Sequence, residues 1–256
     1  RYSKNSFFPI SELYKFEAFT LTKVESSMPN FRNLKYYSLV SRIDLDRIKI
    51  SDCFENKKYL YPIGIELNDQ NKKLISSPKR YNYDLIFFGS LNYKPNLTSI
   101  CWFIKEVMPL LVNEIPNIKL LVTGSNPPFN LINLISSNHN IELIINPKKI
   151  DPFINLSKVS IAPMLTGSGQ QNKVIESMAL KVPVVLSPRA ADPLNLKNME
   201  NCIIANKSSD YLYAIKLLLY NSQLRNKIGL LSREFVLRNH KWQSIVSNLV
   251  NDIYEN

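Results

Sequence analysis

The stretch VSIAPMLTGSGQQNKVIESMALKVPVVLS, residues 159–187, holds the pattern that decides the fold. Two short apolar runs, Val159–Met164 and Val182–Leu186, each have the length of a buried parallel strand and are flanked by turn-forming residues. Between them, a glycine loop at Thr166–Gly169 leads into a segment, Gln170–Leu180, whose apolar residues recur at helical spacing. The stretch therefore predicts a strand, a glycine loop, a helix and a second strand.

The glycine loop and the start of the predicted helix form a candidate anion site. Gly167 and Gly169 allow the backbone to approach a ligand closely and to adopt a positive φ. The helix start offers unpaired N–H groups and the positive end of a dipole, which together favour a phosphate. Lys173 adds a full positive charge one turn into the helix, and Glu176 shares its face. A carboxylate there suits ribose or sugar hydroxyls better than phosphate.

Less specific interpretations of this stretch stay open at the level of sequence. The loop also fits a plain strand-to-helix turn, and Lys173 and Glu176 also fit an ordinary ion pair on a helix surface. A dinucleotide fingerprint of an NAD enzyme fits less well. Asn172 fills its third glycine position, and Ser187 rather than an acid ends the next strand.

Composition limits the classes of function. The 256-residue chain is 45% hydrophobic, which is enough to bury a sizeable core in one or two domains. Its formal net charge of +11 favours an anionic partner such as nucleotide phosphate or anionic lipid, although a lysine-rich surface explains the charge equally well. The basic residues show no regular interleaving with aromatic residues, so we expect no nucleic-acid partner. No apolar run has transmembrane length, and three scattered cysteines indicate no disulfide framework, so we expect a cytoplasmic protein.

The first third of the chain predicts a few short elements. Pro9–Val24 and Arg42–Ile50 predict helices, and Lys35–Val40 and Lys58–Tyr61 predict strands. These elements are too few for a self-sufficient domain. The polar segment Asn68–Tyr83 predicts a linker.

The remainder alternates strands with helices. The predicted strands are Asp84–Phe88, Lys119–Val122, Ile141–Ile145, Val159–Met164, Val182–Leu186 and Asn201–Ala205. The predicted helices are Asn96–Asn113, Asn130–Ser136, Ile150–Leu156, Gln170–Leu180, Ser209–Tyr220, Ser222–Asn239 and Trp242–Tyr254. This alternation predicts a parallel sheet covered on both faces, with ligands at the carboxyl ends of its strands. Gly89, Gly124 and the Thr166–Gly169 loop all lie at such ends.

Short motifs follow one another in an order known from one family. They are Pro62-Ile63-Gly64-Ile65, Phe87-Phe88-Gly89-Ser90-Leu91, Lys94-Pro95-Asn96, Leu121-Val122-Thr123-Gly124, Ala162-Pro163, Gly167-Ser168-Gly169, Asn172-Lys173, Glu176-Ser177-Met178-Ala179, Pro183-Val184-Val185 and His240-Lys241-Trp242. In this ordered set the chain resembles the donor-binding half of GT-B glycosyltransferases of family 4, the group 1 transferases. Its Gln171-Asn172-Lys173 version resembles the branch associated with exopolysaccharide assembly.

The resemblance implies an α/β fold of the GT-B type. Residues 63–240 are expected to form a Rossmann-like parallel sheet domain that binds the nucleotide sugar. Residues 1–62 are expected to be the remnant of an amino-terminal Rossmann domain on the acceptor side, which in a complete family member has roughly 150 residues. Residues 241–256 are expected to form a terminal helix that packs back on the amino-terminal part.

The resemblance also implies a function. It implies a retaining glycosyltransferase that moves a sugar from a UDP- or GDP-sugar to a glycan or lipid-linked acceptor, without a metal or other cofactor. Lys173 would stabilise the charge of the departing diphosphate, and Glu176 would hold the ribose. The implied donor-binding residues are Gly89, Ser90, Asn146, Pro147, Thr166, Gly167, Ser168, Gly169, Gln170, Asn172, Lys173 and Glu176. We expect a cytoplasmic protein that also associates with the anionic inner face of the membrane.

Some positions depart from the family pattern. Ser168 stands where many members carry a paired Glu, and Ile145, Pro147 and Lys149 stand where Gly, Val and Asp are usual. Because the front of the family pattern is missing, an alternative stays open: a truncated or degenerate transferase that only binds a nucleotide sugar or serves as a partner subunit. The sequence Asp44-Leu45-Asp46 mimics the metal-binding DxD of GT-A transferases, but acids at a helix start explain it better.

Overall fold

The computed structural model describes residues 17, 19–24, 37–47, 58–66, 69–76, 81–167 and 169–254. The chain divides into two compact units, Arg1–Pro62 and Ile63–Asn256.

The first unit contains a short parallel pair of strands. Strands β1 (Tyr37–Leu39) and β2 (Lys58–Leu60) pair in parallel, and helix α1 (Arg42–Arg47) lies between them in the chain. Each was predicted, with wider bounds, of which residues 35–36 and 48–50 lie outside the described residues. Residues 19–24 are helical, in agreement with the end of the predicted helix Pro9–Val24, of which residues 9–16 and 18 lie outside the described residues.

The segment predicted as a linker, Asn68–Tyr83, contains a helix, so that prediction was wrong in this part. Helix α2 (Asp69–Ser76) buries Asn71, whose Nδ2 donates a hydrogen bond to Asp151 Oδ2 at 2.8 Å. Ile75 packs at the edge of a buried apolar cluster. The polar composition was misleading because this helix is anchored through an amide–carboxylate contact as well as through apolar residues.

A six-stranded parallel sheet forms the centre of the second unit. Its strands are β3 (Tyr83–Ser90), β4 (Leu120–Ser125), β5 (Ile141–Ile145), β6 (Ser157–Ala162), β7 (Val184–Leu186) and β8 (Ile203–Ile204). They lie in the order β5-β4-β3-β6-β7-β8, and every neighbouring pair is parallel. The chain therefore starts in the middle of the sheet, runs out to one edge, returns and runs out to the other. This is the doubly wound order of Rossmann folds, and the predicted α/β class is confirmed.

The first helical stretch of the sheet domain is interrupted. It was predicted as one helix over Asn96–Asn113, and the structure has α3 (Lys94–Trp102), a π-helical turn (Phe103–Val107) and α4 (Met108–Glu114). Pro109 explains the interruption, because it has no N–H to donate and its ring would clash with the carbonyl four residues earlier in a regular helix. The wider π turn accommodates the proline.

The other helices complete the two covering layers. They are α5 (Phe129–Ser136), α6 (Asp151–Asn155), α7 (Asn172–Ala179), α8 (Pro188–Ala191), α9 (Ser208–Tyr220), α10 (Ser222–Asn239) and α11 (Trp242–Tyr254). Helix α8 and the 3-10 turn Asp192–Leu194 after it were not predicted. The Ser187 hydroxyl begins α8 by accepting the Ala190 N–H at 3.3 Å. Within the described residues, no helix combines the length and the apolar character needed to cross a bilayer.

The sheet is buried on both faces. Along β3, Leu85 and Phe87 enter one apolar cluster, while Ile86 and Phe88 enter another. This alternation follows from the two-residue period of a strand. Helices α3, α4 and α9 supply residues to the first cluster, and α7 packs in a further cluster with β6 and β7. A strand with both faces covered reads as a continuous apolar run, which is why the strands could be located from sequence.

The segment Ile63–Ile65 runs beside the start of the last helix. His240 Nδ1 donates a hydrogen bond to the Ile63 carbonyl at 2.7 Å. The Ile65 N–H donates to the His240 carbonyl at 2.7 Å, and Ile65 forms a parallel bridge with Lys241. A Cβ on Gly64 would lie 2.5 Å from the indole of Trp242, so only glycine fits against this ring.

Candidate functional site

The candidate site lies where the winding of the sheet reverses. β3 and β6 are neighbours, but β3 is followed by β4 on one side and β6 by β7 on the other. In doubly wound sheets a crevice opens at the carboxyl ends of such a pair and receives the ligand. Gly89 and Ser90 end β3, and the loop of residues 163–171 follows β6. The two segments predicted to bind a ligand therefore meet at this point.

The loop after β6 turns at its two glycines. Gly167 has φ 99° and Gly169 has φ 88°, which confirms the predicted positive φ. A Cβ on Gly167 would lie 3.6 Å from Pro95, so the loop packs against the start of α3. Thr166 Oγ1 is buried and has no hydrogen-bond partner in the described part of the chain. Ser168, predicted to contact the donor, lies outside the described residues.

Lys173 is buried within the crevice, with only 7% of its surface exposed. Its Nζ donates a hydrogen bond to Asn96 Oδ1 at 2.6 Å and lies 3.9 Å from the sulfur of Met164. The same nitrogen lies 4.2 Å from the centre of the Phe87 ring. A Cβ built on Gly89 would lie 3.6 Å from it. The amine is therefore held beside the carboxyl end of β3, where the glycine leaves room.

The ionisation of Lys173 and Glu176 is perturbed by their surroundings. Burial lowers the pKa of Lys173 to about 7, and the charge of Glu176 opposes this shift. Burial raises the pKa of Glu176, Asp151 raises it further, and Lys173 lowers it. This burial excludes the interpretation of the two residues as an ordinary solvated pair on a helix surface. Groups with perturbed pKa values inside a crevice are typical of functional sites.

Helix α7 begins at Asn172, two residues later than the predicted start at Gln170. Gln171 precedes it with an extended backbone, and its carbonyl accepts hydrogen bonds from the first helical turn. The amides of Gly169 and Gln170 are therefore loop groups rather than helix-start groups. The amides that begin the helix are those of Asn172 and Lys173, which have no intrahelical acceptor ahead of them.

The Gln170 side chain has a structural contact that sequence reasoning missed. Its Oε1 accepts the Ile63 N–H at 2.8 Å, and its Nε2 donates to the Pro193 carbonyl at 3.3 Å. Ile63 lies 107 positions away in the chain, so no local pattern could have indicated this contact. With the side chain engaged in this way, the backbone of Gln170 is the part of the residue left to face a ligand.

Asn146 and Pro147 lie at the same edge of the sheet but farther from Lys173. Asn146 follows β5 directly, has φ 52° and donates its N–H to the Gly124 carbonyl at 2.9 Å. Strand β4 separates β5 from β3. A ligand bound at Gly89 would have to extend past the end of β4 to reach these two residues.

Asn96 joins the two sides of the crevice, and sequence reasoning gave it no role beyond a motif. It is 6% exposed, and its Nδ2 donates to the Ser90 carbonyl at 2.9 Å while its Oδ1 accepts from Lys173. The Ser90 hydroxyl turns away to donate to Asn92 Oδ1 at 2.8 Å. The signal in the sequence was a polar side chain directly after Pro95, in the first turn of an apolar helix.

Solved structures with the same fold belong to GT-B glycosyltransferases, which confirms the predicted GT-B type. A mutant of S. aureus TarM, solved in complex with Fondaparinux, alpha-GlcNAc-glycerol and UDP, matches with a TM-score of 0.71 at 15% identity, over 88% of this chain and 45% of that chain. The pneumococcal O-GlcNAc transferase GtfA, solved in complex with UDP and GlcNAc, matches with a TM-score of 0.68 at 15% identity, over 90% of this chain and 46% of that chain.

Sequence comparison gives a curated relative and a family. An uncharacterized 44.6 kDa protein in the cps region of Klebsiella pneumoniae is 24% identical over 179 residues, which cover 66% of this chain and 45% of the relative. The chain thus spans about half the length of these relatives. The family model described as "Glycosyl transferases group 1" matches residues 82–221, more than half of the chain, and so the chain belongs to the group 1 glycosyl transferases.

Proposed function

We propose that this chain supplies the donor-binding part of a retaining family 4 glycosyltransferase, which moves a sugar from a nucleoside diphosphate sugar to a glycan or lipid-linked acceptor. The observation that carries the proposal is the buried amine of Lys173 beside Gly89, at the switch point of the sheet. A lysine is costly to bury. Its position is explained if an anion occupies the crevice during function.

The arrangement suits the departure of a diphosphate. When the bond between the sugar and the diphosphate breaks, negative charge grows on the leaving phosphate. The Lys173 ammonium and the amides of Gly169 and Asn172 would meet that charge with groups already in place, which is an effective form of catalysis. A Cβ on Gly169 would meet no atom within 4 Å, so the loop leaves space there for phosphate oxygens.

Other residues would bind the rest of the donor. Glu176, one turn along the same helix, would accept hydrogen bonds from the ribose hydroxyls. Thr166, whose hydroxyl is buried without a partner among the described residues, would contact the sugar or the diphosphate together with Ser168. Asn146 and Pro147 would contact the base from beyond the end of β4. UDP is the first donor nucleotide to test because it is named in the structures of TarM and GtfA, and GDP is the second.

The proposal extends to the surroundings of the reaction. We expect no metal requirement, because Lys173 and the helix start supply the positive charge. The relative in a cps region supports a role in polysaccharide assembly. The net charge of +11 supports contact with an anionic membrane surface that presents a lipid-linked acceptor. We also propose residues 1–62 as an acceptor-side remnant, residues 63–240 as the donor domain, and 241–256 as a helix that returns to the acceptor side.

Calorimetric titration with UDP, GDP and their glucose conjugates tests the proposal. One of the two nucleotides should bind at a single site, and Lys173→Ala should weaken it. Lys181→Ala is the matched control, because Lys181 lies just beyond the other end of the same helix and should leave binding unchanged. If neither UDP nor GDP binds, with or without sugar, the proposal is wrong.

A further inference from the structure

Asn96 forms two hydrogen bonds that connect opposite walls of the crevice. One goes to the Ser90 carbonyl at the end of β3, and the other comes from Lys173 on α7. Asn96 itself is on α3, so three separate elements meet at one buried amide.

The orientation of this amide is determined by its neighbours. The Ser90 carbonyl can only accept a hydrogen bond, so Asn96 must present Nδ2 to it. Oδ1 is then left to face Lys173, at 2.6 Å from Nζ. The ammonium form of Lys173 can always donate to this oxygen. The Asn96 side chain is therefore a fixed acceptor pointed at the amine.

The amine of Lys173 has other neighbours besides Asn96. From β3 it is faced by the Phe87 ring, and from the loop after β6 by the Met164 sulfur, neither of which titrates. Glu176 on its own helix is the charged group that acts on it directly, and Asp151 acts on Glu176. Among the described contacts, the Asn96 oxygen is the strong hydrogen-bond acceptor for the amine.

We propose that Asn96 is a positioning residue, which holds the Lys173 amine beside Gly89 and sets the pH range over which this lysine binds a diphosphate. The role of Lys173 as a diphosphate ligand rests on the proposed function, whereas the hold of Asn96 on Lys173 does not. Through its second hydrogen bond, to the Ser90 carbonyl, the same amide fixes the position of the amine relative to the end of β3.

The burial of Lys173 determines how many protons are taken up when a diphosphate binds. With a pKa of about 7, Lys173 is largely neutral at pH 8 in the empty crevice. A diphosphate favours the charged form, so binding at pH 8 should take up about one proton from solvent, and binding at pH 6 almost none. Removing the Asn96 oxygen destabilises the ammonium further. Protonation would then be incomplete even at pH 6.

The first experiment measures the Lys173 amine directly and needs no nucleotide. The protein is labelled with 13C-lysine, and the Cε resonance of Lys173, identified by its loss in Lys173→Met, is followed by NMR from pH 5 to pH 11. Asn96→Leu, similar in shape but without an acceptor, should lower the midpoint by about one unit. Asn96→Asp places a carboxylate against the amine and should raise it by at least about one unit, although the bond to Ser90 is lost.

The control is Asn155→Leu. It replaces another buried asparagine, which directly precedes β6 and therefore lies at the amino ends of the strands, away from the crevice. It should leave the midpoint of Lys173 unchanged. Thermal unfolding verifies that each variant is folded, and Asn96→Asp provides the decisive shift if Asn96→Leu does not fold. An unchanged midpoint in the folded Asn96 variants would overturn the positioning role.

The second experiment titrates UDP and GDP at pH 6 and pH 8 into the wild type and Asn96→Leu. The wild type should bind about tenfold more weakly at pH 8 than at pH 6, since one proton must be taken up over part of this range. For Asn96→Leu the loss between the same two pH values should be severalfold larger, because a midpoint about one unit lower leaves more of the lysine neutral at pH 8. The same pH profile in both proteins would overturn the proposed control of diphosphate binding. If no nucleotide binds to either protein, the proposed function fails while the NMR shifts still decide the role of Asn96.

Discussion

The amine of Lys173 lies over the face of the Phe87 ring, 4.2 Å from its centre. An aromatic face attracts a cation, by about 2 kcal/mol when both are shielded from water. The ring therefore provides a partner for the ammonium that, unlike a carboxylate, does not compete with an incoming phosphate through its own negative charge. An aspartate in its place would neutralise the lysine permanently. The pairing of Lys173 with Phe87 and Asn96 keeps the charge available.

Lys173→Ala should weaken the binding of a nucleotide more strongly the more phosphates the nucleotide carries. A charge-assisted hydrogen bond contributes about 1.5–3 kcal/mol, so the affinity for UDP or GDP should fall by about one to two orders of magnitude. The monophosphate should lose less, and the nucleoside almost nothing. Calorimetry at pH 6, where the lysine is protonated, measures all three. Equal losses for the diphosphate and the nucleoside would contradict a role through charge.

Glu176→Ala should weaken binding independently of the number of phosphates. If the carboxylate holds the ribose, the variant should weaken diphosphate, monophosphate and nucleoside by the same factor, because all three carry the sugar. The preference for ribonucleotides over deoxyribonucleotides should also decrease. Competition titrations with UDP and 2'-deoxy-UDP measure this preference. If the preference is as large in the variant as in the wild type, the ribose is held elsewhere.

Nucleotide binding should not depend on a divalent ion. Lys173 and the start of α7 provide positive charge at the loop, and no acidic pair adjoins Thr166–Gly169 in the sequence. The dissociation constant for UDP or GDP should agree within about twofold with and without EDTA. Asp44→Ala is the control for the DxD alternative and should bind normally. Loss of binding both in EDTA and in this variant would favour a metal-dependent site.

The stability of the protein should depend on pH through Lys173. Its pKa is about 7 in the folded protein against a reference value of 10.5, so between these values the unfolded chain binds more protons. The free energy of unfolding contributed by this residue is therefore lowest below pH 7 and rises as the pH approaches 10. Lys173→Met removes this dependence.

Urea denaturation at pH 6 and pH 10 measures the effect. Relative to wild type, the free energy of unfolding of Lys173→Met should be about 4 kcal/mol more favourable at pH 6 than at pH 10. The comparison between two pH values cancels the cost of leaving Asn96 Oδ1 without its partner. Lys181→Met, a substitution just beyond the other end of the same helix, is the control for a general effect of replacing a lysine. A difference of zero for Lys173→Met would mean that its amine is not shielded from water.

Association with anionic lipid should be weak and sensitive to salt. The net charge of +11 attracts an anionic surface, and this attraction is screened as the ionic strength rises. Vesicles that contain phosphatidylglycerol should sediment with the protein at about 20 mM salt and release it at about 500 mM. Vesicles of phosphatidylcholine alone are the control. No binding to the anionic vesicles at low salt would refute the expectation.

The positions of the strands along the chain and of the glycine loop after β6 could be predicted because they depend on local patterns. Buried parallel strands appear as short apolar runs, and Gly167 and Gly169 mark a turn with positive φ. The burial of Lys173 could not be predicted, since it depends on Asn96, 77 positions away, and on Phe87. From the sequence alone, a solvated position of the same lysine on a helix surface stays open.

Two errors in the predicted elements have identifiable causes. Helix α2 was missed because Asn71, which local composition assigns to a linker, is satisfied by Asp151 on a distant helix. The π turn in the first helix depends on how the chain accommodates Pro109, for which a regular periodicity gives no signal. A contact with a remote helix decided the first case, and a proline within the same helical stretch decided the second.

The contacts of Ile63 define where a shortened form of this protein must begin. The family match starts at residue 82, just before the first strand of the sheet. A protein cut at that point would lose the partners of the Gln170 Oε1, the His240 Nδ1 and the face of the Trp242 ring at once. The smallest piece that retains all contacts of the loop after β6 therefore starts no later than Ile63, about twenty residues before the sheet itself.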